Sequence, residues 1–460
     1  MNKKLYRGVC LLLAGLAFGL SGARAATPEN LLTWNQAKDV VDADVRGLAL
    51  GDLLERVAAQ TGWQIYVEPD TAFTASVKFK QLPSGEALRR LLGDLNFALI
   101  PQTNASPRLY VFRTSMQKAT QRIRTAVGKS AQTGKRVPNE LIVRLRPGAS
   151  IDELARKLGA KVVGRIPELD AYRLQFADEA ATEAARGQLA YEPDVTSVQD
   201  NYYVDVPTVP QSVAGMTAPE VTLKLDPPKA DACKVVVGFV DTALQPLGDK
   251  LEPFVKERVS LTGESVTGTT DPTHATAMMN AWVQAMQASG RTSSSATTLW
   301  VDVFGGAASA NTFNVAAGMI TAANRGATVI NASLGGYGDT PLLRDAIGQL
   351  SAHNIPVFAA VGNDGSTTPF FPAAYPQVIS VTAVERGQVA AYANVGVQPD
   401  AGAPGSVIFS YNGQTYGSRG TSVSSAAATG VAAGLADATC APWSQVIPSL
   451  EKTLAVPAAK

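Results

Sequence analysis

The chain holds two histidines in 460 residues, His274 and His353, so proton transfer by imidazole near neutral pH has two candidates. His274 stands at the entry of a helix-patterned stretch, Ala275 to Ala288, whereas His353 ends another, where a cation favours the helix dipole. Asp241 comes directly after the apolar run Val235-Val236-Val237-Gly238-Phe239-Val240. Asn363 lies in Val361-Gly362-Asn363-Asp364-Gly365, and Ser422 follows Gly420-Thr421 at the head of a small-residue helix, Val423-Ser424-Ser425 onward. Asp, then His, then Ser is one of the chain orders of the hydrolytic triad. A serine hydroxyl attacks poorly until a base takes its proton, and the imidazole supplies that base. An aspartate on the second ring nitrogen fixes the tautomer and stabilises the imidazolium. The carbonyl under attack becomes an oxyanion. The Asn363 amide and the Ser422 main-chain N–H, at a helix N-terminus, are donors suited to receive it.

The elements between these residues are those needed to hold them. Val235–Val240 reads as a strand buried on both faces. Thr298 to Phe304, Ala327 to Ile330, Pro356 to Val361 and Gln377 to Val384 read likewise, with helices at 275–288, 314–324 and 342–353 between them. Strand–helix alternation predicts an α/β domain with a parallel sheet. In such a sheet the functional residues collect at the carboxyl ends of the strands. Asp241, Asn331, Ser333 and Asn363 all fall there.

With these residues in place, the stretch from Lys234 to Thr439 resembles the subtilisin-like serine proteases. The most specific segments are Val329-Ile330-Asn331-Ala332-Ser333-Leu334-Gly335-Gly336, Ile355-Pro356-Val357-Phe358-Ala359-Ala360-Val361-Gly362-Asn363 and Gly420-Thr421-Ser422. The resemblance implies a three-layer α/β catalytic domain and an Asp241–His274–Ser422 triad with Asn363 as oxyanion donor. It also implies that Ser333-Leu334-Gly335 pairs with an extended polypeptide substrate by strand addition. Three places depart from the family pattern. Ala243 and Ala275 stand where glycines are usual, and Val423-Ser424-Ser425-Ala426-Ala427 replaces Met-Ala-Ser-Pro-His. An added methyl can crowd a backbone held close or at positive φ.

Residues 137–206 give the order βαββαβ, with Ser150 capping the first helix and Gly159 ending it. Pro138-Asn139-Glu140-Leu141-Ile142-Val143, Leu158-Gly159-Ala160 and Glu192-Pro193-Asp194-Val195 make this block similar to the ferredoxin-like prodomains of subtilisin-like proteases. That likeness implies an intramolecular inhibitor whose tail, near Asn201 to Val206, enters the cleft before self-processing between Val204 and Ser212. Residues 31–113 form a smaller α+β pattern, with Ser84 expected to cap its second helix. Leu50-Gly51-Asp52-Leu53-Leu54, Gly62-Trp63-Gln64-Ile65 and Gly85-Glu86-Ala87-Leu88-Arg89-Arg90-Leu91-Leu92 resemble the short N-terminal (STN) domain of secretins and TonB-dependent transporters. This resemblance implies docking to an envelope protein. Residues 114–136, basic and without an acid, read as a flexible linker. The catalytic domain is then 207–460.

Lys3, Lys4 and Arg7 precede a short apolar run, and Ala23-Arg24-Ala25 fits signal cleavage after residue 25. The expected location is periplasmic or secreted, in an oxidising compartment. Lys+Arg and Asp+Glu total 40 and 39, so no global basic field for nucleic acid exists. No histidine or cysteine cluster suggests a metal, and no acidic loop resembles an EF-hand, so no cofactor is expected, though backbone carbonyls could hold calcium. Cys233 and Cys440 remain after signal removal. Cys233 is about 26 Å of strand before Asp241 at ~3.3 Å per residue. Cys440 is about 27 Å of helix after Ser422 at ~1.5 Å per residue. If the nucleophile's helix packs through the core as in the family, both reach the far end of the domain and form a disulfide. Two readings of the whole stay open: an autoprocessed endopeptidase, or an envelope adaptor built on an inactive protease fold.

Overall fold

The computed structural model describes residues 31–35, 38–69, 71–101, 107–123, 134–205, 207–228, 234–263 and 270–457. The expected signal segment and Cys233 lie outside them. The chain divides into two compact units. One comprises the described residues up to Leu50 together with Ala72–Asp94; the other comprises Gly51–Thr71 and everything from Leu95 on. Among the described residues no helix is long and apolar enough to cross a membrane.

The N-terminal elements are β1 (Leu31–Asn35), β2 (Val40–Ala49), α1 (Leu50–Thr61), β3 (Gln64–Val67), β4 (Thr74–Pro83), α2 (Ser84–Leu92), β5 (Asn96–Ile100), β6 (Arg108–Phe112) and β7 (Gln121–Ile123). In the first unit β1, β2 and β4 form an antiparallel sheet, with Val41, Ala43 and Val45 alternating inward. The buried face of α2, Ala87, Leu88, Leu91 and Leu92, packs on it. Ser84 does not cap α2. Pro83 holds that position, and the Ser84 hydroxyl instead accepts from the Trp34 indole N–H at 3.0 Å. In the second unit the order is β5-β6-β3-β7. The presence of β7 shortens the segment read as a linker. Ile123 is buried opposite Ile65, and one inward isoleucine outweighs the basic residues around it.

The next elements are β8 (Arg136–Leu145), α3 (Ile151–Leu158), β9 (Lys161–Ile166), β10 (Ala171–Gln175), α4 (Glu179–Leu189) and β11 (Val195–Asp205). The sheet order β11-β8-β10-β9 is ferredoxin-like. Ser150 Oγ accepts from Glu153 N at 3.4 Å, and Gly159 ends α3 at φ 67°, as read from the sequence. One face of the sheet buries Leu141, Val143 and Leu174 under the two helices. The other face, with Ile142 and Ala171, joins the core of the catalytic block.

That block comprises β12 (Gln211–Ser212), β13 (Lys224–Leu225), β14 (Val236–Asp241), β15 (Val255–Ser260), α5 (His274–Ala288), β16 (Ser293–Ser294), β17 (Thr297–Asp302), β18 (Ser309–Asn311), α6 (Thr312–Asn324), β19 (Val329–Ala332), α7 (Pro341–Ala352), β20 (Val357–Ala360), β21 (Val378–Glu385), β22 (Gln388–Val389), β23 (Ala401–Pro404), β24 (Ser406–Tyr411), β25 (Gln414–Arg419), α8 (Thr421–Thr439) and α9 (Trp443–Thr453). Its sheet runs β15-β17-β14-β19-β20-β21-β22, with β23 also on β21; all pairs are parallel except β21–β22. Every residue of β14, β19 and β20 is buried, as strands covered on both faces require. Helices α6 and α7 contribute to the core on one side, and α5 and α8 to that on the other. A Cβ at Gly430 would lie 2.4 Å from the Trp282 carbonyl oxygen, so only glycine lets α8 lie this close to α5.

Candidate active site

Asp241 is the last residue of β14, His274 the first of α5, and Ser422 the second of α8. The three side chains are almost wholly enclosed, with relative exposures of 0%, 1% and 7%. His274 Nδ1 and Asp241 Oδ1 are 2.8 Å apart, the pairing that leaves Nε2 free to act as a base. The same Oδ1 accepts from Thr242 N at 2.7 Å and Thr242 Oγ1 at 3.2 Å, which fixes the carboxylate.

The start of α5 is fastened to the turn after β14. Thr273 caps the helix and donates Oγ1–H to the Ala243 carbonyl at 2.8 Å. Ala275 N donates to Thr242 Oγ1 at 3.0 Å. The fully buried Gln245 accepts from Thr273 N and Thr276 Oγ1 and donates to the Asp271 carbonyl. Ala243 and Ala275 are absent from the described residues with positive φ, so the two replaced glycines leave no backbone strain here.

The start of α8 is held from two sides. Asn363 Oδ1 accepts from Thr421 N at 2.8 Å and Thr421 Oγ1 at 3.0 Å, and Gly362 N donates to Thr421 Oγ1 at 3.2 Å. Gly420 has φ 151°, and a Cβ there would press on Asn363 Nδ2 at 3.0 Å, so this junction needs glycine. On the other side Ser333 Oγ donates to the Ser422 carbonyl at 2.8 Å and accepts from Asn331 Nδ2 at 2.8 Å. Asn331 Oδ1 takes Ser425 Oγ at 2.8 Å and Thr429 Oγ1 at 3.2 Å. Ser425, the one position of Val423–Ala427 that keeps the usual residue, therefore anchors the helix, and Asn331 lies inside β19 rather than after it.

Leu334 is buried, and Gly336 exchanges main-chain hydrogen bonds with Phe371 at 2.9 and 2.7 Å. His353 is the C-cap of α7, with Nδ1 2.8 Å from the Gln349 carbonyl, and takes no part in the Asp241–His274 pairing. Among the described residues no group of three or more His, Cys, Asp or Glu is arranged to hold a metal ion. Thr242, Thr273, Gln245, Thr421 and Thr429 were missed in the sequence. The threonines could have been suspected from adjacency to Asp241, His274 and Ser422 or from one-turn spacing along α8. Gln245 carried no signal, since its burial depends on the fold.

Asp241 and His274 thus pair at the carboxyl end of β14, and Ser422 lies beside Ser333, which follows the neighbouring strand β19. Residues 234–454 match the Subtilase family. Residues 122–201 match the fervidolysin N-terminal prodomain. A thermophilic serine proteinase of Bacillus sp. (strain AK1) is 40% identical over 126 residues, which is 27% of this chain and 31% of that protein. Thermitase of Thermoactinomyces vulgaris is 36% identical over 148 residues, 32% of this chain and 53% of that one. The chain thus spans between about a third and a half of the length of these curated relatives. Fervidolysin from Fervidobacterium pennivorans, described as a keratinolytic enzyme related to subtilisin, aligns with a TM-score of 0.54 at 20% identity. The alignment covers 71% of this chain and 58% of that one. The epidermin leader peptide processing serine protease of Staphylococcus aureus aligns with a TM-score of 0.54 at 17% identity, over 68% and 93%. At those identities the two structures speak to fold alone, and the fold is the subtilisin-like α/β one.

Proposed function

We propose that the protein is a serine endopeptidase made as a self-processed precursor. The observation that carries this is the Asp241–His274 pair at 2.8 Å on the same sheet edge as Ser422, with the Asn363 amide at the start of the nucleophile's helix. His274 takes the Ser422 proton as Oγ attacks the peptide carbonyl. The oxyanion is received by Asn363 Nδ2 and the Ser422 main-chain N–H, and His274 returns the proton to the leaving amine. No cofactor enters these steps.

The precursor reading rests on the path of the chain. Tyr203, Val204 and Asp205 of β11 pair antiparallel with Asn311, Ala310 and Ser309 of β18. A Cβ on Gly336 would meet the Tyr203 carbonyl oxygen at 3.0 Å. Gln211 and Ser212 then pair with Gly417 and Tyr416 of β25, the strand that leads into Gly420 and Ser422. The segment between is thus tethered at both ends, as a segment cut in cis would be. A fluorophosphonate should label Ser422 in the wild type and nothing in Ser422→Ala. N-terminal sequencing of the wild type should place the new terminus between Val204 and Ser212. An active enzyme that keeps residue 26 as its terminus would sink the precursor model, and an unlabelled wild type would leave the inactive adaptor instead.

Around this core the wider reading is one of an envelope or secreted protein. Residues 1–25 serve as signal peptide, the prodomain inhibits until it is cut, and the N-terminal α+β elements dock to an envelope partner in the manner of an STN domain. Cys440 is disulfide-bonded, while its expected partner Cys233 lies outside the described residues. Lys234 and Val235 line the same cavity as Cys440 and Ala436, which supports the pairing. The helix α8 also stays regular to Thr439, as that pairing requires. Such a bridge closes nearly the whole catalytic domain and is worth roughly 2–4 kcal/mol. Thiol titration of denatured, unreduced mature protein should find no free cysteine, and two reactive thiols per chain would refute it.

A further inference from the structure

The strands β19 and β20 are neighbours, and beyond their carboxyl ends the chain continues as Ser333-Leu334-Gly335 on one side and Val361-Gly362-Asn363 on the other. The space between these two segments adjoins Asn363 and the start of α8. The Phe370 ring lies in it, with the Asn394 amide beside Gly362 and the Phe371 carbonyl beside Gly335. A Cβ built at Gly335 would lie 2.4 Å from Phe370 Cε1, and one at Gly362 would lie 3.1 Å from Phe370 Cγ. The ring therefore spans from one wall to the other and rests on both glycines. Its outer side meets Tyr337 edge-on, with centroids 5.1 Å apart at 78°.

Tyr337 is itself tied down. Its hydroxyl donates to Asp364 Oδ2 at 2.6 Å and accepts from Asn394 Nδ2 at 3.2 Å. Asn394 Oδ1 in turn accepts from Asp364 N and Ser366 N, at 2.9 and 3.0 Å. These bonds link the segment after β19 to the segment after β20 across the mouth of the gap. Swinging Phe370 out would require breaking the aromatic contact and displacing a hydrogen-bonded tyrosine.

The chain's own segment shows how a substrate strand approaches. The β11 strand ends at Asp205 on β18, with Tyr203 and Val204 beside Gly336, and Gln211 and Ser212 pair with β25, the strand that precedes Gly420 and Ser422. A peptide following that path presents its acyl-side residue, the one before the scissile bond, between the two segments. Its side chain would descend onto Phe370.

We propose that Phe370, held by Tyr337, closes the site for the acyl-side residue and restricts cleavage to bonds that follow glycine, alanine or serine. This rests on the endopeptidase reading above. A branched or aromatic side chain would need the volume the ring already fills, and in a packed interior even a methylene of overlap is costly.

The test uses the mature enzyme and two matched peptide series that differ only in the acyl-side residue, Ala against Phe. Wild type should cleave the Ala series at least about 100-fold faster in kcat/KM, the upper range for discrimination by pocket size. Phe370→Ala should raise the Phe series by more than about tenfold and narrow the ratio. Equal rates for Ala and Phe in the wild type would overturn the proposal without any variant. So would an unchanged ratio in a folded, fluorophosphonate-labelled Phe370→Ala. If wild type cleaves neither series and Ser422 takes no fluorophosphonate, the endopeptidase reading falls and the specificity falls with it. Labelling of Ser422 with preference for Phe overturns the specificity alone.

Discussion

Replacing Ser422 with alanine should lower peptide hydrolysis by on the order of 10⁶, the size of loss known for subtilisin when its nucleophile is removed. The fold should be indifferent to the change. Ser422 is tied to its surroundings through its main-chain carbonyl, which accepts from Ser333 Oγ at 2.8 Å, and alanine keeps that carbonyl. Thermal unfolding should therefore stay within the small range of neutral substitutions, about 0.5 kcal/mol. His274→Ala should cost nearly as much activity, because the base and nucleophile act as one unit. The double variant should then be hardly worse than either single change. Initial rates on a fluorogenic peptide, with an active-site titration, read all three. Full retained turnover in Ser422→Ala would defeat the triad, and additive losses in the double variant would show that the two residues act independently.

The three residues proposed as the triad were legible as candidates because they sit at sequence positions that the α/β rule singles out. Asp241 ends an apolar run, His274 opens a helix, and Ser422 follows a Gly-Thr pair before a small-residue helix. What could not be read is what joins them. The buried Gln245 bridges Thr273, Thr276 and Asp271, yet nothing near residue 245 in the chain marks it as interior. Strands of three to six residues were also lost. In Ser309–Asn311 there is no apolar alternation, and it becomes a strand only because β11 pairs with it. The hairpin Ser406–Tyr411 with Gln414–Arg419 has a weaker sequence signal than the adjoining Gly420-Thr421-Ser422. The two glycines replaced by Ala243 and Ala275 suggested crowding. The structure shows ordinary backbone there, with the Ala275 N–H used to grip Thr242. Likewise Phe370 was silent in sequence, since its placement depends on two glycines, one 35 and one 8 residues before it.

Asn363→Ala should reduce kcat by about 10²–10³ while leaving KM nearly unchanged, as removal of an oxyanion donor does in subtilisin. In the proposed mechanism the side chain has two separate duties. Its Nδ2 faces the developing oxyanion, and its Oδ1 holds the head of α8 through Thr421 N and Oγ1 at 2.8 and 3.0 Å. Alanine removes both, so it should also destabilise the protein by about 1 kcal/mol, the usual worth of a helix cap. Asn363→Asp separates the two. The introduced carboxylate still accepts from Thr421, so unfolding temperature should recover toward wild type. It offers no donor to the oxyanion and sets a negative charge where negative charge develops. Asn363→Asp should therefore be at least as slow as Asn363→Ala despite its better stability. If instead kcat recovers in step with the unfolding temperature, Asn363 is only a positioning residue for α8, and the oxyanion is stabilised from elsewhere.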